Sequence, residues 1–170
     1  MTDIEINQPA NKPWRLTIAQ KICRPLPPII SQRVRSWIYP REIAAKDKYE
    51  FVENSITGSK FIGKTNDFFC HPFAVHGYYY WRAWAIALAV CSRGDSIIEI
   101  GANVGTETIG FSDIVGKSGN VIAFEPLPNN IKVLEIALAE SQWKNINIHP
   151  YVVVDTDKIV RFFPPKSLLN

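Results

Sequence analysis

The residues with the clearest chemical potential lie in one short stretch, "SIIEIGANVGTETIGF", from Ser96 to Phe111. Strand-forming apolar residues lead to a carboxylate, Glu99, and then to Gly101 and Gly105, which bracket Asn103. Glycine admits the backbone angles of a sharp turn and lets a ligand lie directly against the main chain. Glu125 follows Gly105 by twenty residues, at the end of the next strand-like run. A carboxylate at that point can accept both hydroxyl hydrogens of a ribose. Strand, glycine loop and distant acid together point to a nucleoside-containing ligand.

The loop discriminates between nucleoside cofactors. A dinucleotide fingerprint needs G-x-G-x-x-G, whereas this chain has Gly101-x-Asn103-x-x-Thr106. Glu99 argues the same way, because a carboxylate beside the loop repels a pyrophosphate and favours a cation. S-adenosylmethionine carries both a sulfonium and an ammonium, so these residues suit it better than NAD.

The elements that must position these groups follow a regular grammar. Residues 97–100 read as a strand and 104–115 as a helix ended by Gly116. A second strand over 121–124 leads through Pro126 to a helix over 127–140, with Leu127, Ile131, Leu134 and Leu138 on one face. A third strand occupies 146–154, bent or interrupted at Pro150, and a short antiparallel one could occupy 159–163. Strands alternating with helices at this spacing form right-handed βαβ units and a parallel sheet, the α/β class. In such sheets ligands bind at the carboxyl ends of the strands, where Gly101 and Gly105 fall.

Ahead of this core the chain is different in kind. The first 57 residues hold no glycine but six of the twelve prolines, so they lack the sharp turns of the later part. The proline-rich run 24–30 is not expected to be regular helix. Residues 31–39 read as a short basic amphipathic helix with Ser31 as its N-cap. That helix either meets an anionic surface or packs its apolar side on the domain. Residues 48–65 form a hairpin around Thr57, Gly58 and Ser59, and 77–91 a helix apolar nearly all round and therefore largely buried, ended at Gly94. The resulting organisation is a basic proline-rich segment over 1–47, a hairpin and helix over 48–95, and a cofactor-binding half over 96–170.

Composition bounds the function. An apolar content of 46% with 21% charged residues is that of an ordinary globular domain. A net charge of +3 is too small to argue for a nucleic-acid partner. The cysteines Cys23, Cys70 and Cys91 share no metal-ligand spacing, so reduced thiols in a cytoplasmic protein, with no metal, are expected. The start of the chain is acidic and polar, unlike a secretory signal, and the apolar run 83–91 is far short of the ~20 residues of a membrane-spanning helix. No integral membrane segment is expected.

These residues also carry a resemblance. "IIEIGANVGTET" resembles the first motif of the FkbM-type methyltransferases, acid-x-G-A-N-x-G-x-x-T, through Glu99, Gly101, Ala102, Asn103, Gly105 and Thr108. "VIAFEPLPNNIKVLEIAL" is similar to the family's second motif, aromatic-Glu-Pro before a helix, through Phe124, Glu125 and Pro126. "VVVDTDKIVRFF" matches the third segment more loosely. The resemblance implies a Rossmann-like class I methyltransferase fold that uses S-adenosyl-L-methionine. It implies methyl transfer to a hydroxyl acceptor, a small molecule or glycan, often a sugar or natural product. Residues 101–105 would then line the methionine part, Glu125 would hold the ribose diol, and Asp155 would approach the adenine amino group. A solvated turn acid is an equal reading of Asp155, since Asp157 lies close by.

The resemblance leaves the catalytic base unassigned. His76 precedes a helix expected to pack by the loop, although a histidine in an aromatic cluster is more often structural. Tyr78, Tyr79, Tyr80 and Trp81 either wall a pocket or form core packing. The family's sheet has further strands, whereas this chain ends after the third, so a truncated chain with an unpaired edge beside 97–100 is expected, prone to self-association. The alternative to an enzyme is a non-catalytic cofactor-binding fragment or partner subunit.

Overall fold

The computed structural model describes residues 11–156, so the expected strand over 159–163 lies outside the described residues. Two prolines open the first helices. α1 (Trp14–Cys23) follows Pro13, and α2 (Pro28–Ile38) begins on Pro28 itself. The proline-rich run is therefore helical from its last proline onward. A proline lacks an N–H that the first turn could not use, and its φ is already helical. Ser31 is not the N-cap: its N–H bonds Pro27 O at 2.9 Å inside the helix, and its side chain is buried. α2 lays Val34 and Ile38 against the core, while Trp37 on its outer side is exposed.

After α3 (Arg41–Asp47), β1 (Glu50–Asn54) and β2 (Lys60–Lys64) pair antiparallel, with Val52 opposite Ile62, as the alternating pattern predicts. Glu53 ties α1 to this hairpin, accepting from Lys12, Gln20 and Arg24, each at 2.7 Å. The apolar stretch that reads as one helix is split. α4 (Cys70–His76) closes at Gly77, and α5 (Trp81–Val90) starts after a break.

α5 is also not largely buried. Trp84 and Ala87 face inward, but Ile86, Leu88 and Val90 are 64%, 63% and 73% exposed. Composition alone cannot tell which side of an apolar helix is covered. Here α6 (Thr108–Val115) covers one side, and no described element covers the other.

The parallel sheet runs β3 (Ser96–Ile100), β4 (Asn120–Phe124), β5 (Ile146–His149), in that order. Ile97 stands beside Val121 and Val121 beside Ile146, so one residue parity makes one face and the other parity its reverse. The first face is packed, with α6 against β3 and β4. The reverse face is open: Ile98 and Ile100 are 65% and 66% exposed. Among the described residues β3 has no partner on its outer edge. This arrangement is the first half of a Rossmann-like sheet, with α7 (Pro128–Ala137) as the second crossover.

Asp113 of α6 joins the hairpin to this half. Its carboxylate accepts from Thr57 Oγ1 at 2.7 Å, Ser59 N at 2.9 Å and Ser59 Oγ, and is itself buried. Ser59 Oγ in turn accepts Gln142 N at 2.9 Å, drawing in the segment after α7. Among the described residues no helix is long and apolar enough to cross a membrane.

Candidate functional site

The two-residue period of β3 puts Glu99 on the packed face, in line with Ile97 and beside Ala123. Its carboxylate is thus inserted between strand and helix, where Thr108 Oγ1 donates to Oε2 at 2.7 Å. Burial raises its pKa from 4.5 to about 7, the Thr108 bond opposes that rise, and nearby Glu107 adds to it. A carboxyl in this setting rests near the boundary between neutral and ionised at physiological pH.

Beyond β3 the chain does not enter helix at Val104 as the spacing predicts. Gly101, Asn103 and Gly105 have φ of +84°, +50° and +88°, and α6 begins only at Thr108. The loop is held from below by Glu125. Asn103 N donates to its Oε2 at 2.9 Å, while Leu127 N and Asn130 Nδ2 donate to Oε1 at 3.0 and 3.2 Å. Glu125 is 4% exposed, so it sits beneath the loop with both oxygens engaged.

The two loop glycines do different work. A Cβ on Gly105 would come within 2.4 Å of Leu134 Cδ1, so its absence lets α7 press against the loop. A Cβ on Gly101 would meet nothing within 4 Å, and Gly101 is exposed. The free space over Gly101 is therefore a place where a ligand can reach the main chain. Ala102 is buried in the core.

One residue that matters was not singled out in the sequence. Glu107 lies between loop and α6, with Oε2 accepting from Thr106 Oγ1 at 2.8 Å. Its other oxygen, Oε1, is buried with no partner among the described residues. Burial raises its pKa, while bonds from Thr106 and the Tyr80 N–H lower it. Its place inside the glycine motif was the available signal, although an acid at a helix entrance also has an ordinary role there, complementing the positive end of α6. Glu99 and Glu107 together set two carboxyls with raised pKa beside the loop, where a nearby cation would favour their ionised forms.

Other expected residues fall elsewhere. Asp155 is exposed and lies past the end of β5, because the chain leaves the sheet at Pro150. His76 is structural. Ser31 Oγ donates to Cys23 O at 2.8 Å, so His76 Nδ1–H donates to Ser31 Oγ at 2.9 Å, and Nε2 faces Arg35 Nη1 at 3.4 Å. Burial, with Arg35 adding to it, pushes its pKa down to about 3, which keeps the ring neutral. Tyr78 stacks on this histidine at 5.1 Å as core packing, and Tyr79 meets Phe69 edge-on at 5.2 Å. The cysteines Cys23, Cys70 and Cys91 are free.

No protein-family model matches the chain, and no curated protein matches it. Among solved structures it is similar to a candidate rRNA-methylase from Clostridium thermocellum, at 15% identity and a TM-score of 0.41, over 42% of this chain and 39% of that one. It is similar to Aeropyrum pernix fibrillarin in complex with natively bound S-adenosyl-L-methionine, at 24% identity and a TM-score of 0.35, over 42% of this chain and 35% of that one. A third similarity is to a fibrillarin/Nop5p complex, at 21% identity and a TM-score of 0.34, over 62% of this chain and 48% of that one. The chain thus spans less than half the length of each. What stands independently of these overlaps is the parallel α/β half-sheet with an acid-lined glycine loop at its carboxyl end.

Proposed function

We propose that this chain is the cofactor-binding half of an S-adenosyl-L-methionine-dependent methyltransferase of the FkbM kind. Its acceptor in this reading is a hydroxyl on a sugar or natural product, and its place is the cytoplasm. The observation that carries the reading is the pair of partly buried acids, Glu99 and Glu107, beside a loop whose Gly101 opens to free space. A pyrophosphate would be repelled there, and a sulfonium or ammonium would be held.

In this reading Gly101 meets the methionine part, Ala102, Asn103 and Gly105 shape the turn that brings it there, and Glu99 supplies negative charge nearby. Glu125 meets the ribose diol from beneath the loop, with Asn130, its longest partner at 3.2 Å, giving up its place. Asp155 reaches the adenine only if the exposed chain after Pro150 folds back over the sheet. When bound, S-adenosyl-L-methionine supplies an electrophilic methyl group on sulfur. The residues of this chain bind and orient it; the proton-accepting group for the acceptor hydroxyl is not among the histidines fixed in the core.

The exposed face and edge of β3 favour a second reading, a cofactor-binding subunit that acts with another chain. Titration calorimetry with S-adenosyl-L-methionine, S-adenosylhomocysteine and NAD tests the first step. The methionine cofactors should bind and NAD should not. Gly101→Val should abolish that binding while Gly116→Val, away from the loop, retains it. Equal binding by two folded variants, or a preference for NAD, removes the proposal. Turnover against a panel of hydroxyl acceptors then separates enzyme from subunit.

A further inference from the structure

A concave site lies between α2, the start of α3 and the segment around α4, with its Tyr79 wall within electrostatic reach of Glu107. It is a cleft of about 400 Å³ whose lining includes Arg35, Ser36, Arg41, Phe68, His71 and Tyr79. That volume falls within the range of small-molecule sites.

Its electrostatics are unbalanced. Arg35 is partly buried, its Nε is buried without a hydrogen-bond partner, and Nη1 reaches only the neutral His76 at 3.4 Å. Neither Arg35 nor Arg41 forms an ion pair among the described residues, where the pairs are Lys12–Glu53, Arg24–Glu53 and Lys64–Glu50. His71 adds no negative charge, and its Nε2 is taken up by donation to Tyr39 O at 2.9 Å. Glu42 is the one carboxylate in the lining, and it is exposed. Arg35 and Arg41 thus bring two guanidiniums without ion-pair partners to a cleft whose one carboxylate, Glu42, is exposed, a charge balance that favours a bound anion.

The walls of the cleft are aromatic. Arg41 lies over the Phe68 ring at 4.3 Å, which holds the guanidinium in place, and Phe68 meets Tyr79 edge-on at 6.2 Å. Phe68 itself is 45% exposed, so part of a ring face remains free for a ligand. Two guanidiniums offer planar, bidentate donor sets that match a carboxylate or a phosphate. We propose that this cleft binds a small organic oxyanion, a carboxylate or phosphate carried on a ring-bearing body, with Arg35 and Arg41 taking the anion and Phe68 and Tyr79 the ring. The cleft shares no lining residue with the glycine loop, so its binding is tested separately from that of a cofactor.

The test uses phenyl phosphate, benzoate, inorganic phosphate and benzyl alcohol as probes on the whole chain, with amide-resolved NMR titration as the readout. Phenyl phosphate or benzoate should saturate with shifts centred on residues 35–42, 68 and 79, and the stronger of the two identifies the anion class. Benzyl alcohol should cause no such shifts, and inorganic phosphate should bind more weakly than phenyl phosphate. Arg41→Gln, at an exposed position that leaves folding intact, should weaken binding at least tenfold, and Arg35→Lys should weaken it as well. The proposal is overturned if neither aromatic anion binds at millimolar concentration. It is equally overturned if Arg41→Gln binds like the unaltered chain, or if the shifts map to another surface.

Discussion

Replacing Glu99 with glutamine should change how stability depends on pH, and the size of the effect follows from where the side chain sits. In the folded chain burial raises the Glu99 pKa from 4.5 to about 7, with the Thr108 bond opposing the rise and Glu107 adding to it. Folding therefore favours the protonated form. The stability linked to this proton is fully present below pH 4.5 and is lost progressively as pH rises to about 7. Each pH unit in that window removes about 1.4 kcal/mol, so the whole span is about 3 kcal/mol. Urea unfolding of the unaltered chain and Glu99→Gln, measured from pH 4.5 to 8, reports the titration of Glu99 together with its coupling to Glu107. The difference between the two should swing by about 3 kcal/mol in favour of the glutamine variant as pH rises. A bound cation would reverse the preference. S-adenosyl-L-methionine should release nearly one proton on binding at pH 6 and almost none at pH 8, read by calorimetry in buffers of different ionisation enthalpy. A pH-independent stability difference would refute the claim that Glu99 is held neutral by burial, and proton uptake on binding would refute its pairing with a cation.

Three further outcomes are expected. Asp113→Ala strands three donors, Thr57 Oγ1, Ser59 N and Ser59 Oγ, and should cost about 3–5 kcal/mol, seen as a lower urea midpoint with an unchanged slope; a loss below about 1 kcal/mol would mean that the hairpin is not held by this carboxylate. Glu125→Ala removes the acceptor for Asn103 N and Leu127 N, and should weaken S-adenosylhomocysteine about 10- to 150-fold; an unchanged dissociation constant in a folded variant eliminates the ribose assignment. The edge of β3 left unpaired among the described residues and the exposed Ile86, Leu88 and Val90 should make the chain self-associate at micromolar concentration, and Leu88→Glu should shift sedimentation toward monomer; a monodisperse monomer at high concentration contradicts this.

The sequence by itself determined the local elements of the core. The three strands and the hairpin lie close to where their period and their glycine and proline stops put them, because both signals act within a few residues. Pro150 ended β5 by the same rule, although that left Asp155 beyond the strand rather than at its tip. Glu99 was legible as an acid beside a glycine loop, for the same local reason. What surrounds these elements was decided only by tertiary structure. The parity of β3 pointed Glu99 inward, but its shifted titration comes from α6 closing over it. α6 starts late because Gly105, inside the expected helix, sits at φ +88° with Leu134 of α7, 29 residues away, packed against it. Ser31 reads locally as a cap and instead bonds His76, 45 residues away, while Asp113 reaches Ser59 across 54. The side of α5 left uncovered was equally invisible, because an apolar sequence records that a helix wants a neighbour but not which side receives one. Local propensity sets which backbone forms; long-range packing sets which polar groups are left buried, satisfied or waiting for a partner.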